Sequence, residues 1–198
     1  QHSVMARPWF KRAWTRLVPE PAERSTYVLF SSLALIALFA FWQPLGGMVW
    51  DIQNPTARMV MYQLYGLGIG LVLMATFLIN HFDLFGLRQV SLYLVGKPYT
   101  HLTFRTPLFY KYIRHPLYVG WFMTFWFTPT MTGAHLLFAV MTTGYILVAI
   151  RWEEKDLIDA HGAQYIQYRE SVPMFIPNGS TMRSVGTEAN QPAAEKAA

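Results

Sequence analysis

The chain has 198 residues, of which 53% are hydrophobic and only 14% charged, and it carries a net charge of +5. A soluble domain has about 25% charged residues, so the missing charge excludes an ordinary water-covered fold and points to a surface facing lipid. The absence of cysteine excludes thiolate catalysis, disulfides and cysteine-ligated metals.

Residues 1–24 are basic, and they lead straight into a long apolar segment. A secretory signal would have a short apolar core and a small-residue cleavage site, so the first span is expected to be retained as an anchor. That span runs from Tyr27 to Trp42 and continues past Pro44 to Trp50, about the length that crosses a hydrocarbon core of roughly 30 Å. The second, Met59 to Ile79, has only Gln63 and Thr76 as notable polar side chains. Gly66, Gly68 and Gly70 along it suit close helix contact. Phe82 to Leu94 is semi-apolar and reads as a fifth, interfacial or re-entrant helix.

The third apolar stretch, Leu117 to Phe127, is short, because eleven helical residues rise only about 16 Å. It must start earlier, extend past Pro129 or cross a thinned region. A turn over residues 128–133 then joins it to a fourth span, His135 to Ile150, as a tight helical hairpin. Residues 178–198 are rich in small and polar types and read as a disordered tail. The expected fold class is therefore all-α, a polytopic membrane helical bundle with four spans over residues 25–177.

Lysine and arginine give a second test of this topology. Five precede span one (Arg7, Lys11, Arg12, Arg16, Arg24), five separate spans two and three (Arg88, Lys97, Arg105, Lys111, Arg114) and five follow span four (Arg151, Lys155, Arg169, Arg183, Lys196). Arg58 is the remaining one. The positive-inside rule then places both termini and the middle segment in the cytoplasm. Basic charge grouped this way is spoken for by membrane orientation, so no nucleic-acid partner is expected.

Three clusters could carry chemistry. Tyr110 to Gly120, including Arg114-His115-Pro116-Leu117-Tyr118, lies where the chain enters span three. Pro116 marks a helix start, and such a start offers backbone N–H groups to an anion, with Arg114 and His115 as added donors. The same residues also suit a membrane anchor and an interfacial histidine. At the cytoplasmic end of span four, Arg151-Trp152-Glu153-Glu154-Lys155 holds two adjacent carboxylates, of which a helix turns only one inward. The hairpin brings both clusters to one side, matching a ligand that carries a carboxylate and an ammonium. His81, Asp83 and Arg88 form the third cluster, at the cytoplasmic end of span two. It holds a histidine able to act as a base and an aspartate that could do so only if burial raised its pKa; alternatively Asp83 simply pairs with Arg88 at the interface.

The order Arg114-His115-Pro116-Leu117-Tyr118-Val119-Gly120, a hairpin, Glu153-Glu154, Gly162-x-x-Tyr165-x-x-Tyr168 and Val172 to Pro177 resembles a membrane methyltransferase superfamily. Its members include isoprenylcysteine carboxyl methyltransferases, phospholipid N-methyltransferases and NnrU-like proteins. The resemblance implies S-adenosylmethionine as cofactor, held on the cytoplasmic side by Arg114, His115, Tyr118, Gly120, Glu153, Glu154 and Tyr165, with no metal. A closer resemblance, over Phe39 to Pro177 and including Phe77 to Gln89, is to bacterial inner-membrane members acting on a small thiol. On that basis His81, Asp83 and Arg88 are the expected catalytic group, with a small thiol and membrane lipid as partners. A prenylcysteine or lipid acceptor is the alternative within the superfamily. A haem-associated sensor using His81 and His115 is the alternative of another class.

Overall fold

The computed structural model describes residues 1–100, 102 and 104–179. The expected disordered tail lies, from residue 180 onward, outside the described residues. Among the described residues, three helices are long and apolar enough to cross a membrane, over Glu20–Ala40, Pro55–Ile79 and Gly133–His161, and the chain is a membrane protein. It divides into two compact units, one of Gln1–Pro44 with Ile79–Thr103, the other of Leu45–Leu78 with the chain from Phe104 onward.

In the first unit, short helices α1 (His2–Met5) and α2 (Pro8–Trp14) precede the apolar α3 (Glu23–Ala40). Eighteen residues give α3 a rise of about 27 Å. The expected continuation of this span to Trp50 does not form. Pro44 disfavours helix at the residue before it, and the chain turns at Gly46 and enters a strand, β1 (Met48–Asp51).

After α4 (Pro55–Ile79), which belongs to the second unit except for its last residue, the first unit resumes. The segment read as one semi-apolar helix is two short ones, α5 (His81–Leu84) and α6 (Leu87–Leu94). Asn80 caps α5 by accepting from the Asp83 N–H at 3.0 Å. Gly86 divides the two with a φ of +76°, and a Cβ there would sit 2.5 Å from the Ser25 nitrogen. Only glycine suits both demands. Arg24 Nε donates to the Leu84 carbonyl at 2.9 Å, which fixes this turn to the start of α3.

The second unit holds β1, α4, α7 (Pro116–Trp126), β2 (Thr130–Thr132), α8 (Gly133–His161) and α9 (Ala163–Ser171). β1 and β2 pair antiparallel, with Trp50 opposite Met131 and Asp51 opposite Thr130, so the described residues are mostly helical with one small sheet rather than all-α. The 128–133 turn is thus partly a strand, favoured by its threonines. Asp51 explains Arg58, the basic residue outside the three groups. Its Oδ1 accepts from Arg58 at 3.0 Å and from the Thr130 hydroxyl at 2.8 Å. The Thr130 hydrogen bond, ahead of Arg58, holds the Asp51 carboxyl below the ordinary aspartate value.

α7 is the eleven-residue helix that the sequence marked as short. It packs on α4 through Gly68 and Gly120, where an added Cβ would come within 2.8–2.9 Å of backbone atoms of the facing helix. Gly66 and Gly70 meet nothing within 4 Å, because residues two positions from Gly68 point away from it. Close contact therefore uses one of the three glycines. α7 and α8 form the expected hairpin, tied by Trp126 Nε1 to Thr143 Oγ1 at 3.0 Å and by His135 Nε2 at 3.0 Å from the Phe125 carbonyl. α8 continues three turns beyond Ile150 without a break, so Glu153 and Glu154 ride on the same rod as the apolar span.

Candidate functional site

The second unit brings the Arg-His-Pro cluster and the Glu-Glu pair into contact. His115 is the residue before α7, and its side chain is 5% exposed. Its Nε2 lies 2.9 Å from Glu154 Oε1, and its Nδ1 lies 4.0 Å from Glu153 Oε2. Arg114 Nη1 lies 3.0 Å from the same Glu154 Oε1. Tyr118, nearly one turn into α7, donates its hydroxyl to Glu153 Oε2 at 2.7 Å.

The two carboxylates differ in kind. Glu154 is the inward one, with its side chain 12% exposed between an arginine and a histidine, whereas Glu153 is 45% exposed. One oxygen of Glu153 is fixed by Tyr118 while the side chain remains open to a ligand.

Arg114 carries the clearest sign of a missing partner. Its side chain is nine-tenths buried, and neither Nε nor Nη1 makes a hydrogen bond. The 3.0 Å approach of Nη1 to Glu154 is an ion pair without hydrogen-bond alignment. Guanidinium nitrogens are obligate donors, and unmet buried donors are costly enough to require an explanation. A ligand carboxylate would supply the acceptors.

Backbone N–H groups contribute less than the helix start promised. The Arg114 and His115 amides donate to the Pro173 and Met174 carbonyls at 2.9 and 3.2 Å, and those of Tyr118 and Val119 to the His115 carbonyl. The return segment after α9 has therefore taken up donors that an anion would have used.

Aromatic residues frame the cluster. Tyr165, only 2% exposed, meets Phe104 edge-on at 5.8 Å, and Phe104 also contacts Tyr168 at 5.3 Å. Tyr168 donates its hydroxyl to the Tyr110 carbonyl at 2.6 Å, fastening α9 to the chain ahead of α7. Burial, then the charge of Glu154, pushes the Tyr165 phenol up to about 12, and burial also raises Tyr168 and Tyr110. All three remain protonated donors at neutral pH. Phe175, beside His115 at 6.4 Å and Phe122 at 5.3 Å, completes the frame. Sequence reading assigned no role to Phe104 or Phe175. The helical spacing of Tyr165 and Tyr168 was the signal for the wall, but nothing local named its partners.

Gly120 lies apart from the carboxylates, in the α4 contact described above. His81, Asp83 and Arg88 fall in the first unit. Asp83 Oδ1 lies 3.0 Å from Arg88 Nη1, and Oδ2 accepts from the Tyr99 hydroxyl at 3.4 Å. Arg88 also donates to the Thr100 carbonyl and hydroxyl, each at 2.8 Å. The His81 ring lies against Phe85 with centroids 4.4 Å apart. For the haem-ligand alternative, His115 already has its Nε2 committed to Glu154.

Comparison with known proteins identifies the family. No family model matches the chain, and no solved structure does. The methanethiol S-methyltransferase of Crocosphaera subtropica is 62% identical over 89% of this chain, which spans 69% of that protein. The methanethiol S-methyltransferase of Mycobacterium tuberculosis is 52% identical over 89% of this chain and 72% of its own length. Nurim of Sus scrofa is 29% identical over 79% of this chain and 63% of its own. Identity of this degree over this extent means that the chain belongs to the methanethiol S-methyltransferase family.

Proposed function

We propose that this chain transfers the methyl group of S-adenosylmethionine to methanethiol, forming dimethyl sulfide. The observation that carries the reading is the buried Arg114, with two orphaned donors, beside a half-exposed Glu153. This pair suits an amino-acid moiety, its carboxylate on Arg114 and its ammonium on Glu153. When bound, S-adenosylmethionine supplies an electrophilic methyl group on a sulfonium sulfur.

The remaining residues orient and deprotonate. Glu154 is a positioning residue, neutralising Arg114 and orienting His115; Tyr118 holds Glu153, and Tyr165 closes one wall. The acceptor must be presented as a thiolate, in line behind the methyl group. Asp83 and Arg88 are tied to each other, which leaves His81 as the proton acceptor of the three.

Substrate size provides the test. Methanethiol has two heavy atoms, and small ligands gain at most about 1.5 kcal/mol per heavy atom, so it binds with no more than about 3 kcal/mol. Selectivity then comes from excluding larger thiols by side-chain bulk. In a series from methanethiol to dodecanethiol, kcat/KM should fall with each added methylene. A flat or rising series would point to the prenylcysteine or lipid alternative.

Four crossings, with short α7 as the fourth, put both termini and the cofactor site in the cytoplasm of a bacterial inner membrane. Reporter fusions at Gly133 and Gly179 should then report opposite sides. The same side for both would leave an odd number of crossings between them unsupported.

A further inference from the structure

The first unit holds a cavity of about 800 Å³. It is far larger than methanethiol requires. Three cations, Lys11, Arg24 and Lys97, and three carboxylates, Glu20, Glu23 and Asp83, line it, so its wall carries both signs of charge and is formally neutral. Ile79 and Leu84 add apolar surface where α4 ends.

One wall atom lacks a partner. Gln89 Oε1 is buried and accepts no hydrogen bond. The Nε2 of the same amide donates to the Asp83 carbonyl at 3.2 Å, which fixes the orientation, since a flipped amide would lose that bond. What is missing is therefore a donor.

A neutral wall carrying both signs, together with a buried acceptor awaiting a donor, selects a ligand with an N–H-bearing cation beside an anion. We propose that this cavity binds the headgroup of a zwitterionic phospholipid with a primary ammonium. The ammonium donates to Gln89 Oε1 among the carboxylates, and the phosphate lies among Lys11, Arg24 and Lys97. The cavity sits at the start of one apolar helix and the end of another, where polar chain meets apolar span, which is the level of lipid headgroups. Phosphatidylethanolamine has the required donor. Phosphatidylcholine has a quaternary ammonium and no donor, and phosphatidylglycerol brings net charge to a neutral wall.

The test is native mass spectrometry of the full chain released from detergent holding equal amounts of these three lipids. Phosphatidylethanolamine should be retained about tenfold over phosphatidylcholine, the value of one charge-assisted hydrogen bond. Gln89→Leu should remove that preference, and Gln89→Glu, which keeps an acceptor, should preserve it. Lys97→Gln should lower retention of both lipids alike. Equal retention of the two lipids by the unaltered chain overturns the proposal, as does an unchanged preference in Gln89→Leu. Soluble glycerophosphoethanolamine should displace bound lipid poorly. Efficient displacement would mean that the site serves a soluble zwitterion, and the lipid assignment falls.

Discussion

His81→Ala is expected to lower turnover about 10²- to 10⁴-fold, the usual loss when a general base is removed, while leaving affinity for S-adenosylmethionine nearly intact. The thiol still enters and the methyl donor is still held, but the acceptor stays protonated. Raising the pH should restore activity to the variant, because hydroxide in solution then supplies the thiolate. Asp83→Asn should cost less, since Asp83 is engaged by Arg88 and Tyr99 and its loss loosens the α5–α6 turn rather than removing a proton acceptor. Pre-steady-state rates across pH, set beside thermal unfolding of each variant, separate these effects. A larger catalytic loss in Asp83→Asn than in His81→Ala would make Asp83 the base. Lower thermal stability with normal activity per folded molecule in both would make the pair structural.

Glu154→Gln is expected to be the more damaging of the two carboxylate changes. It removes the buried charge that faces Arg114 and His115, and breaking a buried ion pair by deleting one partner costs about 3–5 kcal/mol. Thermal stability should fall with cofactor affinity. Glu153→Gln should behave differently, because that side chain is 45% exposed and its neighbour Tyr118 can still donate to an amide oxygen. Losing a hydrogen bond to a charged group costs about 1.5–3 kcal/mol, so cofactor affinity should weaken about ten- to a hundredfold with little change in unfolding temperature. Calorimetry and thermal unfolding on both variants check the split. Unchanged cofactor affinity in both would remove the Glu pair from the site.

Much of this organisation was legible in the chain because apolar length and basic-residue placement are local signals. The spans at α4 and α8, the shortness of α7 and the hairpin all follow from hydropathy, Pro116 and the 128–133 turn. The β1–β2 pairing was not legible, since it joins segments about 80 residues apart and each strand is only three or four residues long. The end of α3 could have been read from Pro44, but the apolar run beyond it masked the break. In the site, adjacency of Glu153 and Glu154 showed that only one could turn inward. Which one did so depended on Arg114 and His115, forty residues away in sequence. Capture of the Arg114 and His115 amides by Pro173 and Met174 was likewise invisible, because backbone pairing to an irregular segment leaves no residue signature. Gly68 and Gly120 were each readable as small residues, but their pairing belongs to the tertiary fold.

The central claim is that this chain moves a methyl group to a small thiol. The direct measurement incubates the purified chain, reconstituted in lipid, with methyl-labelled S-adenosylmethionine and methanethiol, and follows label in the headspace and in the aqueous and lipid fractions. The account predicts labelled dimethyl sulfide in the headspace, one equivalent for each S-adenosylhomocysteine formed. It also predicts that the yield is sharply reduced in the Arg114→Ala variant at limiting cofactor and recovers as cofactor is raised. Label that remains in S-adenosylmethionine, or that passes into lipid or protein while the headspace stays empty, would contradict it.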